Sequence, residues 1–172
     1  MKSRAVTLRF ALPCLVAALC FLLPDGVQAQ RTGPNLGIGF NTVLSAEQGL
    51  GIGFRVRAAR AVNSDLSLAL CTGLTGFILG GRDDASYLLD PQFSAIVSVG
   101  SDRPDEATYL IGGVGGYFPI SHSYEGGPTI HGGMGWVRQL YETRLFYEVN
   151  PQLIIGETAV SIAIPFRIGV IF

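Results

Sequence analysis

With 172 residues, 12 Lys and Arg, 13 Asp and Glu and a formal charge of −1, the chain has room for one domain and shows no basic footprint for nucleic acid. Two of its three cysteines, Cys14 and Cys20, lie in the opening stretch described next, so Cys71 alone remains and no intrachain disulfide can form.

Lys2, Arg4 and Arg9 precede an apolar run of 14 residues, 10–23, and Val27-Gln28-Ala29 then places small residues where a signal peptidase reads them. This charged, apolar and cleavable order is that of an export signal over residues 1–29. A membrane helix would need about 20 apolar residues, and Pro13 interrupts this run. Neither Cys14, after Pro13, nor Cys20, after Leu19, has the small preceding residue that lipidation wants. Cleavage after Ala29 leaves 143 of the 172 residues, with 9 basic groups (12 less Lys2, Arg4 and Arg9) and 12 acidic ones (13 less Asp25).

Beyond Gln30 no stretch shows helical spacing, while apolar alternation restarts repeatedly between clusters of Gly, Asn, Asp and Ser. Period 2 predicts eight strands, at 35–45, 49–62, 66–79, 87–100, 106–120, 128–140, 143–155 and 158–172. In the first, Leu36, Ile38, Phe40 and Leu44 oppose Gly37, Gly39 and Asn41; in the second, Ile52, Phe54 and Val56 oppose Gly53, Arg55 and Arg57. The third sets Leu66, Leu68, Leu70 and Leu74 against Ser67, Ala69, Cys71 and Gly73, and the fourth sets Leu89, Phe93, Val97 and Val99 against Asp90, Gln92, Ser94 and Ser98. The fifth is ambiguous, because Gly112-Gly113-Val114-Gly115-Gly116 puts glycine on both faces.

The sixth and seventh strands fix their own register. A two-residue Tyr141-Glu142 loop pairs Leu140 with Thr143, which matches Gln139 with Arg144, Gly135 with Glu148 and His131 with Gln152 on one face, and Trp136 with Tyr147 and Met134 with Val149 on the other. Pro151 removes a ladder donor, so a bulge or local irregularity is expected there. Gly156-Glu157 reads as a second two-residue turn, of type II′, pairing Ile155 with Thr158 and putting Glu148 diagonal to Arg167.

In the last strand Val160, Ile162, Ile164, Phe166, Ile168, Val170 and Phe172 share one face, against Ala159, Ser161, Ala163, Arg167 and Gly169. Such a face is either the core of a secreted soluble barrel binding a small apolar ligand or the lipid-facing side of a transmembrane barrel. Three features favour the second: the opposite faces are rich in Gly, Ala and Ser, as a narrow filled bore requires; Trp136 and Tyr147 sit near a strand end, as in an aromatic girdle; and the export signal leads out of the cytoplasm. The inward faces then carry Asn41, Arg55, Arg57, Asp90, Gln92, His131, Arg144, Glu148, Asn150, Gln152 and Arg167, whereas the outward faces hold only Arg60 and Arg138 near strand ends. Arg55, Arg57, Asp90, Arg144, Glu148 and Arg167 are expected to form an ionic network that blocks the bore.

These features make the region 30–172 resemble the small eight-stranded outer-membrane β-barrels of the OmpA/OmpX-like type. The expected fold is all-β, an eight-stranded antiparallel up-and-down transmembrane β-barrel after a cleaved signal peptide. The resemblance implies residence in the outer membrane with both termini periplasmic, outer-membrane lipid as surroundings, and the barrel-assembly machinery as partner during biogenesis. Phe166, Ile168, Val170 and Phe172 would be the assembly signal, departing from the family pattern at Val170, where an aromatic is commoner. The resemblance brings no catalytic residues, cofactor or metal.

Other chemistry is weak. Gly37-Ile38-Gly39 and Gly49-Leu50-Gly51-Ile52-Gly53 neither follow a strand nor open a helix, as a nucleotide fingerprint would. An enzyme, such as a lipid A deacylase-like barrel, would draw on His122, Ser123 and Glu125, or on His131 with Glu148, but the His-x-Ser spacing of such enzymes is absent. Asp83-Asp84 could contribute to a calcium site only with further carboxylates. The connections are short, leaving 80–85 and 121–127 as the modest candidate binding surfaces.

Overall fold

The structure, a computed structural model, describes residues 35–46, 48–77, 86–100, 105–120 and 126–172. Every regular element among them is a strand: β1 (Asn35–Ser45), β2 (Gly49–Ala61), β3 (Leu66–Phe77), β4 (Ser86–Leu89), β5 (Gln92–Val99), β6 (Glu106–Pro119), β7 (Gly127–Leu140), β8 (Thr143–Val149), β9 (Gln152–Ile155) and β10 (Val160–Ile171). All pairings are antiparallel. Both β4 and β5 lie between β3 and β6, and both β8 and β9 lie between β7 and β10, so the ten segments make eight staves. The wall closes where β1 meets β10, from Gly37 opposite Ile171 to Ser45 opposite Ala163.

Directly opposed residues trace a path from Asn35 through Ala59, Ala69, Ser94, Gly113, His131, Gln152 and Ala163, and back to β1 at Ser45, ten residues further along. Such a stagger tilts the strands by roughly 40° and leaves a bore that side chains can fill. Asn35, Phe172 and the turns at 62–65 and 141–142 lie at one end of the barrel. Ser45, Phe77, Pro119 and Ile155, where β1, β3, β6 and β9 finish, lie at the other, called the loop end below.

The alternation expected from the sequence sorts the faces as a lipid-facing wall requires. Phe40 and Phe54 point outward, 59% and 60% exposed, with ring centroids 5.0 Å apart, whereas Arg55, Glu148 and Arg167 point inward and are 5% exposed or less. A soluble barrel would put the apolar set inside, so the soluble-barrel reading is overturned. The ambiguous β6 resolves too: Tyr109, Ile111 and Tyr117 are buried in the bore, and Leu110, Val114 and Phe118 face out.

The Tyr141-Glu142 hairpin has the expected register, from Leu140 opposite Thr143 to Met134 opposite Val149. At Pro151 the expected irregularity is a break in the seventh stave and not a bulge, because Val149 opposite Met134 and Gln152 opposite His131 keep one register across it. The fourth stave, expected to be continuous over 87–100, is interrupted likewise at Pro91. Each proline lacks an N–H and so removes one rung. Their carbonyls still accept, Pro91 from Gly116 N at 2.9 Å and Pro151 from Gly132 N at 3.1 Å.

The last connection is also longer than expected. Ile155 stands opposite Val160, not Thr158, and Gly156 N donates to Ala159 O at 2.9 Å across a four-residue loop. A shift of two residues leaves every side chain on its own face, so burial does not oppose it. It brings Arg167 directly opposite Glu148, where a diagonal relation was expected.

Candidate functional site

The bore is layered. Near the loop end Val43, Phe77, Leu88, Tyr117, Ile154 and Ala163 form a buried apolar cluster, above which Tyr117 Oη donates to Gln48 Oε1 at 2.7 Å. Near the other end Ala59, Ala69 and Cys71 pack with Ile96. Between these layers lies the polar interior.

Glu148, on β8, is its anchor. One carboxylate oxygen accepts from Arg167 Nη1, and the other from Arg57 Nη1 at 3.0 Å and Tyr109 Oη at 3.0 Å. The Arg57 guanidinium also lies over the Phe146 ring, 4.5 Å from its centroid, a cation–π contact that suits a charge withdrawn from water. A second pair joins Arg55 Nη1 to Asp90 Oδ2 at 2.8 Å. Gln92 links the two pairs: its Oε1 accepts from Arg55 Nη2 at 2.5 Å and from Arg167 Nη2 at 3.4 Å, and its Nε2 donates to Gln152 Oε1 at 2.9 Å. Arg144, expected among these charges, stands apart near the terminal end and donates to Asn35 Oδ1 at 2.8 Å.

Glycines make room for these groups. Phe146 lies across Gly39 and Gly169, where an added Cβ would come within 3.0 and 2.7 Å of the ring, and Tyr109 covers Gly135. The glycines at 37–39 and 49–53 are therefore thin wall, and none opens a helix.

Sequence reasoning placed Asn41, Gln92, His131, Asn150 and Gln152 on the inner face but not the bonds they make. It missed Tyr109, because the glycine run of β6 obscured which face it takes. It also missed that Ser94 Oγ lies 3.0 Å from His131 Nε2. The signal for that pair was Gly113, which stands opposite both residues and lets side chains two staves apart meet. Both members are buried inside the bore, Ser94 fully so. The loop residues His122, Ser123, Glu125, Asp83 and Asp84 lie outside the described residues. No group of three or more His, Cys, Asp or Glu suited to a metal occurs among the described residues.

Among the described residues, nine buried side-chain polar atoms in the polar interior make no hydrogen bond to one another or to the rest; they belong to Asn41, Arg55, Asp90, Thr129, His131, Asn150, Gln152 and Arg167. At the terminal end the bore widens into a cavity of about 250 Å³, lined by Arg57, Tyr109, Gln139, Arg144 and Asn35, with Ile171 among the apolar residues.

A closed wall with an apolar exterior and a charged, packed interior defines the class: an eight-stranded transmembrane β-barrel. Solved structures share this fold. Neisserial surface protein A superposes with a TM-score of 0.67 at 14% identity, covering 83% of this chain and 98% of that one. The N-terminal β-barrel domain of Pseudomonas aeruginosa OprF gives 0.52 at 14% identity, covering 83% and 100%. Ail, the attachment invasion locus protein of Yersinia pestis, gives 0.51 at 12% identity, covering 83% and 100%. No family model matches the sequence, and no curated protein matches it significantly.

Proposed function

We propose that this is an integral outer-membrane barrel without enzymatic activity, its bore closed by its own side chains, with a structural or envelope-interaction role and no open diffusion path. One observation carries this reading: the Glu148 carboxylate, 3% exposed, is held by two arginines and a tyrosine drawn from three other staves. Groups so tied and so buried occupy the path an ion would take. The likeness to barrels from outer membranes supports the location, as does the export signal read in residues 1–29, which lie outside the described residues. Processing would then leave Gln30 first, with both termini periplasmic. The outward row Phe166, Ile168, Val170 and Phe172 is the face that the barrel-assembly machinery would read, and outer-membrane lipid is the partner of the exposed apolar wall.

Against a lipid-modifying enzyme stands the Ser94–His131 pair, enclosed in the bore and not on the rim where a lipid could meet it. The test joins fractionation of the native protein to planar-bilayer recording. Retention in the outer-membrane fraction until detergent is added, together with no steady conductance, is expected. Extraction into plain buffer would overturn the location, and a steady open channel would overturn the closed bore.

A further inference from the structure

Charge is not balanced inside the bore. Among the described residues Arg55, Arg57, Arg144 and Arg167 point inward against only Asp90 and Glu148, four positive groups to two negative ones. Asp90 answers Arg55. Glu148 is shared, one oxygen with Arg167 and the other with Arg57 and the Tyr109 hydroxyl, so its single charge is divided between two guanidinium groups. Arg144 donates to the neutral amide oxygen of Asn35 at 2.8 Å and pairs with no carboxylate among the described residues.

The excess faces one place. Arg57 and Arg144 both line the cavity of about 250 Å³ at the terminal end, whereas Arg55 and Arg167 do not. Arg144 stands opposite Ile171, Ile171 opposite Gly37, and Gly37 opposite Arg57, so the two arginines share one row of the wall. They are three strand spacings apart along it, about 14 Å. Of the residues between them Gly37 has no side chain and Ile171 is apolar, so neither competes for a guest shared by the two guanidinium groups. The acidic residues at this mouth do not cancel the excess. Asp105 is exposed, where water weakens its field, and Glu106 faces Arg138 at 4.0 Å. Ile96, Val137 and Ile171 give the same cavity an apolar lining. Its volume falls below the ~300–1,000 Å³ of drug-sized sites, which limits a guest to about the size of a substituted benzene ring.

We propose that the terminal-end cavity is a binding site for a small organic anion, its carboxylate or phosphate head held between Arg57 and Arg144 and its compact apolar body against Ile96, Val137 and Ile171. The planar guanidinium fork suits either oxyanion. A neutral guest would leave the excess charge unanswered, and a cation would add to it. The site is blind, with Arg57, Tyr109 and Glu148 as its floor, so it rests on the closed bore proposed above, and in the orientation proposed there it opens to the periplasm.

The experiment titrates benzoate, phenyl phosphate and neutral benzamide into the folded barrel in non-ionic detergent micelles at neutral pH, with the arginine Nε–H resonances read by nuclear magnetic resonance. At least one of the two anions should shift the Arg57 and Arg144 signals saturably, the tighter one naming the head group, while benzamide does not saturate. Arg144→Gln should weaken that binding about tenfold or more and unfold at close to the wild-type denaturant concentration. Arg138→Gln, on the outward face, should leave binding unchanged. Saturation by benzamide as tight as by the anions would overturn the charge recognition, and so would equal weakening by Arg138→Gln and Arg144→Gln. No saturation with either anion, with no conductance in bilayers, would overturn the site and leave the closed bore standing, whereas a steady channel would overturn both. If Arg144→Gln does not fold, the wild-type shifts of Arg57 and Arg144 with anion against benzamide decide.

Discussion

At the loop end the bore is filled by Val43, Phe77, Leu88, Tyr117, Ile154 and Ala163, which meet by shape alone. Toward the terminal end it is crossed by Arg57, Tyr109 and Glu148, which meet by charge and hydrogen bond, and then opens into a cavity of about 250 Å³. The two closures fail in different ways. An apolar layer loses stability in proportion to the atoms removed, because neighbours relax only partly into the gap. A buried charge cluster loses far more when one member goes, because the partners stay charged and out of water.

The sharpest way to break this comparison is Glu148→Ala, which strands Arg57 and Arg167 together. It should cost about 3–5 kcal/mol, seen as unfolding at a much lower denaturant concentration in detergent. Glu157→Ala, on the exposed last loop, should change stability by less than about 0.5 kcal/mol. If the two variants unfold together, the charge cluster does not hold the bore. Next comes Leu88→Ala in the apolar layer, 2% exposed, with a cost of about 2–4 kcal/mol. A loss larger than that of Glu148→Ala would reverse the ranking of the two closures. Smaller still in folded stability is deletion of Phe172, which is 65% exposed at the rim. Folding into detergent in vitro should persist, while the heat-modifiable folded fraction in cells falls; equal assembly in cells would remove the role assigned to this face. Smallest is Tyr141→Gly. Tyr141 holds φ at 49°, a region that disfavours side chains, so relief of that strain should outweigh the added chain entropy by about 0.5 kcal/mol in thermal unfolding.

The wall was legible wherever one face differed from the other. Trp136 opposite Tyr147 and Gln139 opposite Arg144 followed from a short turn and matched faces. The last hairpin was not legible, for a reason that also explains the Glu148–Arg167 contact. Sliding β10 by two residues leaves Ser161, Ala163 and Arg167 pointing inward as before, so alternation cannot tell one register from the other. Only the closure of a four-residue loop through Gly156 and Ala159 distinguishes them. Inner-face membership was therefore readable for the charges, but partnership was not. Arg57 reaches Glu148 across the bore, and Asp90 reaches Arg55 over Gly73, where an added Cβ would run into the carboxylate. Such meetings depend on the curvature and stagger of the whole wall, which no single strand encodes.

The seam between β1 and β10 carries a consequence for the order of events in folding. Each other stave pairs with a neighbour that comes next in the chain, so those contacts can zip up locally as hairpins. Gly37 and Ile171 are joined only after the intervening chain has been laid down. Non-local pairing of this kind is slow. Until it happens, the first strand and the latest one to form each present a raw edge of unpaired N–H and C=O groups, able to recruit another chain. The interval before the seam closes is thus when this protein is most exposed to misassembly, and a chain cut short before β10 would remain in that interval permanently.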